Sequence, residues 1–162
     1  MRIGIGYDIY RLAPDRRCVI GGVEIEHPRG PLAHSDGDVL LHALIDALLG
    51  AAALGDLGTH FPPDDPAYAG ASSRDLLARV RAMVVAAGHR VSALDATVVA
   101  EEPRLAPAIG AMRRTIADAL DVPLERVSVK ATTRDRLGEI GRGEAIAAIA
   151  VVLLEEGSGA QR

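Results

Sequence analysis

The run Ala145-Ile-Ala-Ala-Ile-Ala-Val-Val-Leu-Leu154 is apolar at every position. This run constrains the fold class more than any other segment. Side chains alternate between the two faces of a β-strand, so an apolar residue at each position requires cover on both faces. Helices of the same chain can cover one face of the sheet that contains this strand. We expect the other face to meet further subunits, which predicts a homo-oligomer.

The hydrophobic patterns on either side of this strand predict an α+β fold. Strands are predicted over 2–11, 17–20, 23–25, 91–100, 127–132 and 144–154. Helices are predicted over 39–54, 72–87 and 107–120, and loops over 28–31, 55–68 and 133–143. This order is typical of a mixed β-sheet packed on about three helices on one face. Residues 1–156 are predicted to form a single domain, with a flexible C-terminal tail over 157–162.

The composition excludes several classes of function. The formal net charge is -4 and the basic residues are scattered, so no basic face for a nucleic acid is predicted. We expect neither a membrane span nor a signal peptide, because no apolar run has the required length or flanks. Cys18 is the only cysteine, which rules out an internal disulfide and favours a reducing, cytoplasmic compartment.

The segment most informative about function is His34-Ser-Asp-Gly-Asp-Val-Leu-Leu-His-Ala-Leu-Ile-Asp46. Asp38, His42 and Asp46 recur every four residues, which places them on one stripe of an otherwise apolar helix. A carboxylate, an imidazole and a second carboxylate on a buried stripe suit a metal ligand with its orienting groups. The alternative is a helix-capping Asp38 beside a hydrogen-bonded core histidine.

Two further segments carry groups that suit phosphate and metal chemistry. Asp8 and Tyr10 share a face of the first strand, where Asp8 is either a metal ligand or an edge carboxylate. Lys130-Ala-Thr-Thr133 ends a strand and enters a glycine-rich loop, whose hydroxyl and N–H groups suit a phosphate. Asp135 in that loop suits Mg²⁺, and Arg142 adds a cation. The alternative for this loop is an ordinary hairpin connection.

The chain resembles the 2-C-methyl-D-erythritol 2,4-cyclodiphosphate synthase family in five segments that follow the same order. The main one is LAHSDGDVLLHALIDALLGAAALGDLG over 32–58, which contains the specific HSDGD–H run. The others are IGIGYD over 3–8, FPPDDP over 61–66, VKATT over 129–133 and GRGEAIA over 141–147.

The resemblance implies a homotrimer whose sheets face the trimer axis and whose active sites lie between neighbouring subunits. It implies a cytoplasmic, cyclising phosphorus–oxygen lyase of the non-mevalonate isoprenoid pathway. The substrate would be 4-diphosphocytidyl-2-C-methyl-D-erythritol 2-phosphate, and the products 2-C-methyl-D-erythritol 2,4-cyclodiphosphate and CMP. No nucleic acid and no membrane would be partners.

The same resemblance implies roles for individual residues. Zn²⁺ would be held by Asp8, His42 and the residue at position 10, and Mg²⁺ or Mn²⁺ by Asp135 with the substrate. His34 and Thr133 would be catalytic. Substrate-binding residues would be Ser35 at the diphosphate; Asp56, Leu57, Gly58, Phe61 and Asp65 around the methylerythritol; Ala100, Arg104, Leu105, Ala106, Ala131 and Thr132 around the cytidine; Arg142 as a cation; and Glu139 near the cavity of the trimer.

Four positions depart from the family pattern. Tyr10 stands where the family has a zinc-binding histidine, and a phenol is a poor ligand unless the metal lowers its pKa. Asp135 replaces a glutamate, Pro63 an aspartate and Glu139 a phenylalanine. Two functions follow: an active synthase with an altered metal site, or a non-catalytic family member that binds a nucleotide or a prenyl diphosphate. A third option is a metal-dependent phosphohydrolase, which would release an acyclic phosphate.

Overall fold

The computed structural model describes residues 1–157, and the predicted tail lies outside the described residues from position 158 onward. The strands are β1 (Arg2–Pro14), β2 (Cys18–Ile20), β3 (Val23–Ile25), β4 (Arg29–Pro31), β5 (His89–Val99), β6 (Val127–Thr132) and β7 (Ala145–Glu156). The helices are α1 (Val39–Ala52), α2 (Leu57–His60), α3 (Ser73–Ala86), α4 (Ile109–Leu120) and α5 (Gly138–Gly141). Short 3₁₀ turns cover Pro66–Tyr68, Ala106–Ala108 and Leu124–Arg126.

Five strands form one mixed sheet in the order β4-β1-β7-β5-β6. β5 and β6 run parallel, whereas the other neighbours in the sheet are antiparallel. β2 and β3 form a separate hairpin around Gly21 and Gly22. The predicted α+β class, with a mixed sheet and three main helices on one face, is confirmed.

The buried helix α1 lies directly against β1 and carries the core. Twelve of its 14 residues are buried, as a helix that is apolar all round requires. A Cβ at Gly4 would lie 2.0 Å from the carbonyl oxygen of Ala47, and one at Gly6 would lie 1.9 Å from that of Ala43. The two glycines therefore allow the strand backbone to touch the helix backbone.

The two faces of the sheet differ in exposure. On the face toward the helices, Ile146, Val152 and Leu154 of β7 are fully buried. On the opposite face, Ile149 and Val151 remain 40% and 36% exposed. On the neighbouring strand β1, Ile3, Ile5 and Tyr7 are more exposed still, at 72%, 71% and 54%, and Ile9 is 38% exposed. One chain therefore covers one face only, and the cover of the second face by other subunits stays a prediction.

Three predicted loops contain regular structure. The segment 28–31 includes β4, because residues 29–31 pair with residues 12–14 at the end of β1. The segments 55–68 and 133–143 include the four-residue helices α2 and α5. These elements are too short to produce a hydrophobic period in the sequence. Within the described residues, no helix has both the length and the apolar character needed to cross a membrane.

Candidate active site

Three predicted metal ligands meet where β1 crosses α1. The Tyr10 hydroxyl lies 2.7 Å from Nδ1 of His42, and Oδ2 of Asp8 lies 3.2 Å from the same nitrogen. Alternation along β1 turns Asp8 and Tyr10 to the helix side, where His42 is only 4% exposed. The predicted grouping of Asp8, position 10 and His42 is therefore present in the geometry.

Tyr10 is a neutral phenol in this arrangement. Burial, and then the negative charge of Asp8, raise the pKa of Tyr10 above its ordinary value. The ring packs edge-on against His42, with ring centres 5.7 Å apart. The hydroxyl thus acts as a hydrogen-bond donor toward the imidazole or the carboxylate.

The residues present fit a divalent cation through two strong donors and one weak donor. Two ligands at about 2.0–2.1 Å from a tetrahedral zinc ion lie about 3.3 Å apart. The 3.2 Å between Asp8 and His42 matches that spacing. Within residues 1–157, no group of three or more His, Cys, Asp and Glu side chains is arranged to hold a metal ion. The Tyr10 oxygen lies 2.7 Å from Nδ1 of His42, which is a hydrogen-bond distance and shorter than the ligand spacing.

The other two members of the predicted stripe do not join this group. Asp38 is fully buried and accepts from the backbone N–H groups of Gly21, Gly22 and Leu41, at 2.8, 2.6 and 3.0 Å. Burial raises its pKa to about 6, while the three N–H donors oppose that rise. The interpretation of Asp38 as an orienting group for a metal ligand is wrong, and the alternative of a capping residue is correct.

Asp46 also binds the backbone. Its Oδ1 accepts from the Leu57 N–H at 2.7 Å, which anchors the first residue of α2. Burial raises the pKa of Asp46, and the Leu57 hydrogen bond opposes the shift. Of the three residues on the stripe, only His42 reaches Asp8 and Tyr10.

Ser73 is a site residue that the sequence analysis missed. Its Oγ lies 2.8 Å from Nε2 of His42, on the side of the ring opposite Asp8, and it also bonds to Asp36. The sequence shows Ser73 only as part of the start of α3. No local pattern indicates that this helix start reaches a histidine 31 residues earlier in the chain.

A cavity of about 160 Å³ opens beside the three grouped residues. Its lining brings together the predicted residues Tyr10, His34, Ser35, His42, Leu57 and Phe61. Asp56 and Asp65 cap short helices nearby, accepting from the N–H groups of Thr59 and Ala67, and Gly58 lies within the first of these helices. His34 is exposed at the mouth, so this cavity is open to a ligand.

A second cluster of predicted residues forms at the ends of β5 and β6. The Ala100 N–H donates to the Thr132 carbonyl at 3.0 Å, and the Glu101 carboxylate accepts from the N–H groups of Arg134 and Arg136. The Asp135 N–H donates to Oγ1 of Thr133 at 3.3 Å. Other predicted members are exposed Arg104, Ala106 and Ala131, and buried Leu105.

The strand register shows how far apart the two clusters lie in one chain. Ile9 pairs with Ala147, Ala147 with Val99, and Val99 with Thr132. Three spacings between neighbouring strands amount to about 14 Å. None of the cavity-lining residues named above belongs to the second cluster. One chain therefore presents two separate groups of predicted site residues, which we term half-sites, at the same end of the sheet.

Glu139 and Arg142 lie in neither half-site. Glu139 is exposed in α5, and the Arg142 guanidinium forms an ion pair with Glu144, with Nε 2.7 Å from Oε1. This pair raises the pKa of Arg142 and lowers that of Glu144.

Comparisons with known proteins identify the family. The YgbB family model matches residues 1–155. The chain is 59% identical to the 2-C-methyl-D-erythritol 2,4-cyclodiphosphate synthase of Moorella thermoacetica, covering 98% of this chain and 99% of that protein. It is 53% identical to the enzyme of the same name from Thermosynechococcus vestitus, covering 97% and 98%.

Solved structures agree with this result. The fold matches the bifunctional IspDF of Campylobacter jejuni with a TM-score of 0.92 at 40% identity, covering 96% of this chain and 42% of that one. It matches the IspF–CDP complex of Plasmodium falciparum with a TM-score of 0.85 at 31% identity, covering 97% of each chain. The fold and the site together define a small α+β protein with a histidine–carboxylate site. The chain belongs to the YgbB family.

Proposed function

We propose that this protein is a 2-C-methyl-D-erythritol 2,4-cyclodiphosphate synthase of the non-mevalonate isoprenoid pathway. It converts 4-diphosphocytidyl-2-C-methyl-D-erythritol 2-phosphate to the cyclic diphosphate and releases CMP. The observation that carries this proposal is the convergence of Asp8, Tyr10 and His42 beside a cavity that His34 and Ser35 line. The relatives of the same name support it, and nothing in them supports the non-catalytic alternative.

The reaction asks the protein for positioning and charge neutralisation, not for a nucleophile. An oxygen of the 2-phosphate forms a bond to the β-phosphorus, and the bond from that phosphorus to the CMP oxygen breaks with its electron pair. In this proposal His34 and Ser35 would hold the diphosphate, and Thr133 would donate to an oxygen that gains charge. The 2-phosphate brings the nucleophile, so none of these residues forms a covalent bond.

Asp8 and His42 would hold a zinc ion, with the Tyr10 oxygen as the weak third donor. Asp135 would bind Mg²⁺ or Mn²⁺ together with the substrate. Bound cations of this kind neutralise phosphate charge. The remaining substrate contacts would be Asp56, Leu57, Gly58, Phe61 and Asp65 toward the methylerythritol; Ala100, Arg104, Leu105, Ala106, Ala131 and Thr132 toward the cytidine; Arg142 as a cation; and Glu139 near the trimer axis.

A homotrimer would join the two half-sites of neighbouring subunits. The roughly 14 Å between the half-sites in one chain and the exposed Ile3 and Ile5 support this arrangement. In this proposal residues 1–156 act as one domain, and the protein is cytoplasmic, as one buried thiol at Cys18 suggests.

An assay of CMP release with phosphorus NMR of the product tests the activity. With zinc and magnesium added, we expect a cyclic diphosphate and CMP in equal amounts. An acyclic phosphate product would indicate a phosphohydrolase instead. If a folded, metal-loaded oligomer gave no product, the binding-protein alternative would replace the synthase.

Mixing two inactive variants tests the shared site. His42→Ala damages the first half-site and Thr133→Ala the second, so each homo-oligomer should be nearly inactive. Co-expression of the two should restore about a quarter of wild-type activity, because random assembly leaves that share of the sites with both halves intact. No recovery in purified mixed oligomers would mean that each site lies within one chain.

A further inference from the structure

The imidazole of His42 is held at both of its nitrogen atoms. Nδ1 faces Asp8 and Tyr10, as described above. Nε2 lies 2.8 Å from Oγ of Ser73 and 3.3 Å from Oγ of Ser35. Ser73 is fully buried and His42 nearly so, so water does not substitute for these contacts.

The single hydroxyl proton of Ser73 determines which nitrogen of His42 is protonated. The Ser73 hydroxyl has one proton, which it donates to Oδ1 of Asp36, and a carboxylate only accepts. Oγ of Ser73 must therefore accept from His42, which places a proton on Nε2. A neutral imidazole then has its lone pair on Nδ1, where the Tyr10 hydroxyl, 2.7 Å away, donates to it. The Asp8 carboxylate, 3.2 Å from the same nitrogen, can only accept, so it forms no hydrogen bond to this tautomer.

Asp36 is itself held in place. Its Oδ2 accepts from the Ser73 N–H at 2.9 Å, and its Oδ1 accepts from the Asp38 N–H at 3.2 Å. The Asp36 N–H donates to the Ala71 carbonyl at 3.1 Å. The carboxylate thus bridges the start of α3 to the turn before α1.

We infer that Ser73 and Asp36 are positioning residues that hold His42 in the tautomer and orientation that a metal ion requires. A partner on the nitrogen that does not bind metal fixes the ring and raises the basicity of the other nitrogen. Only the metal-binding part of this inference rests on the proposed function. The tautomer follows from the contacts of the metal-free chain.

The test compares Ser73→Ala with Ser72→Ala. Ser72 caps the same helix, with its Oγ 3.4 Å from the Asp75 N–H, and it is exposed. Both variants weaken the start of α3, but only Ser73→Ala removes the nearer acceptor at Nε2, leaving Oγ of Ser35 at 3.3 Å. The first readout is the ¹⁵N NMR spectrum of the histidines in metal-free protein, with the His42 signals assigned from a His42→Gln variant. The second is zinc affinity by titration.

In the wild type and in Ser72→Ala we expect Nε2 protonated and Nδ1 unprotonated. Ser73→Ala should shift His42 toward a mixture of tautomers and weaken zinc binding by roughly 10- to 100-fold. Asp36→Asn is the second variant in case Ser73→Ala does not fold, and it should shift the tautomer in the same direction.

An unchanged tautomer and an unchanged zinc affinity in folded Ser73→Ala would overturn the inference. So would a wild-type His42 protonated at Nδ1 alone. Neither measurement uses the substrate, so a failure of the synthase assay would leave the result standing, and the reverse also holds.

Discussion

At the residue scale, Tyr10 sets the character of the proposed metal site. A neutral phenol replaces the imidazole that the family pattern predicts, and its hydroxyl sits 2.7 Å from the nitrogen that would bind the metal. Burial, and then the negative charge of Asp8, raise the pKa of Tyr10, so the hydroxyl keeps its proton at neutral pH. Metal affinity at this site should therefore be lower than a histidine would give.

Tyr10→His should raise zinc affinity by roughly 10-fold or more and raise activity with it, because an imidazole is a far better zinc ligand than a neutral phenol. Zinc content by mass spectrometry and CMP release on the same samples measure both effects. Tyr10→Phe is the matched control, since it keeps the ring and removes the oxygen. Equal zinc content in wild type and Tyr10→His would contradict the prediction.

Asp38 is a structural residue whose loss leaves three N–H groups without an acceptor. Asp38→Ala should lower the free energy of unfolding by roughly 3–5 kcal/mol. Urea denaturation at pH 7.5 measures this, well above the pKa of about 6 at which the buried carboxyl ionises. The exposed Asp118 on α4 supplies the control, because Asp118→Ala should change stability by less than about 0.5 kcal/mol. Equal urea midpoints for the two variants would disprove the anchoring role.

At the element scale, the contact between β1 and α1 positions Asp8 and Tyr10 against His42. Gly6 permits that contact, because any Cβ there would overlap the Ala43 carbonyl. Strand and helix would have to separate to admit a side chain. Asp8 and Tyr10 on β1 would then move away from His42 on α1.

Gly6→Ala should destabilise the protein by about 3 kcal/mol or more, because its clash is with backbone and cannot be relieved by a rotamer change. Gly50→Ala is the matched control within α1. Nothing lies within 4 Å of a Cβ at Gly50, so alanine should be neutral or stabilise by up to about 1 kcal/mol. Thermal melts of both variants test the pair. A Gly6→Ala protein as stable as the wild type would show that the contact is looser than described.

At the scale of the whole molecule, the exposed apolar face on β1 and β7 is the feature that one chain leaves unexplained. Ile5→Lys places a charge in its centre and should convert the proposed trimer to monomers, with loss of activity at the proposed shared site. Val85→Lys is the control, since Val85 is 54% exposed on α3, away from that face. Light scattering gives the mass of each variant. A trimeric Ile5→Lys protein would place the interface elsewhere.

The sequence alone was enough to predict most elements and the grouping of Asp8, Tyr10 and His42. Hydrophobic period and local caps are properties of neighbouring residues, so α1, α3 and β6 were predictable to within a few positions. Alternation along one strand predicted that Asp8 and Tyr10 share a face. The HSDGD–H run identified His34, Ser35 and His42 through resemblance, because it is specific to one family.

Only the tertiary structure decided what each polar group on the α1 stripe binds. Helical spacing aligned Asp38, His42 and Asp46, but their partners are backbone N–H groups and Ser73, which other elements deliver. The same applies to β4, which is a strand because β1 runs beside it. A hydrogen bond between distant segments depends on how the elements pack. Such packing produces no periodic pattern in the sequence of the residues that it brings together. Only the fold therefore identifies Ser73 as a neighbour of His42.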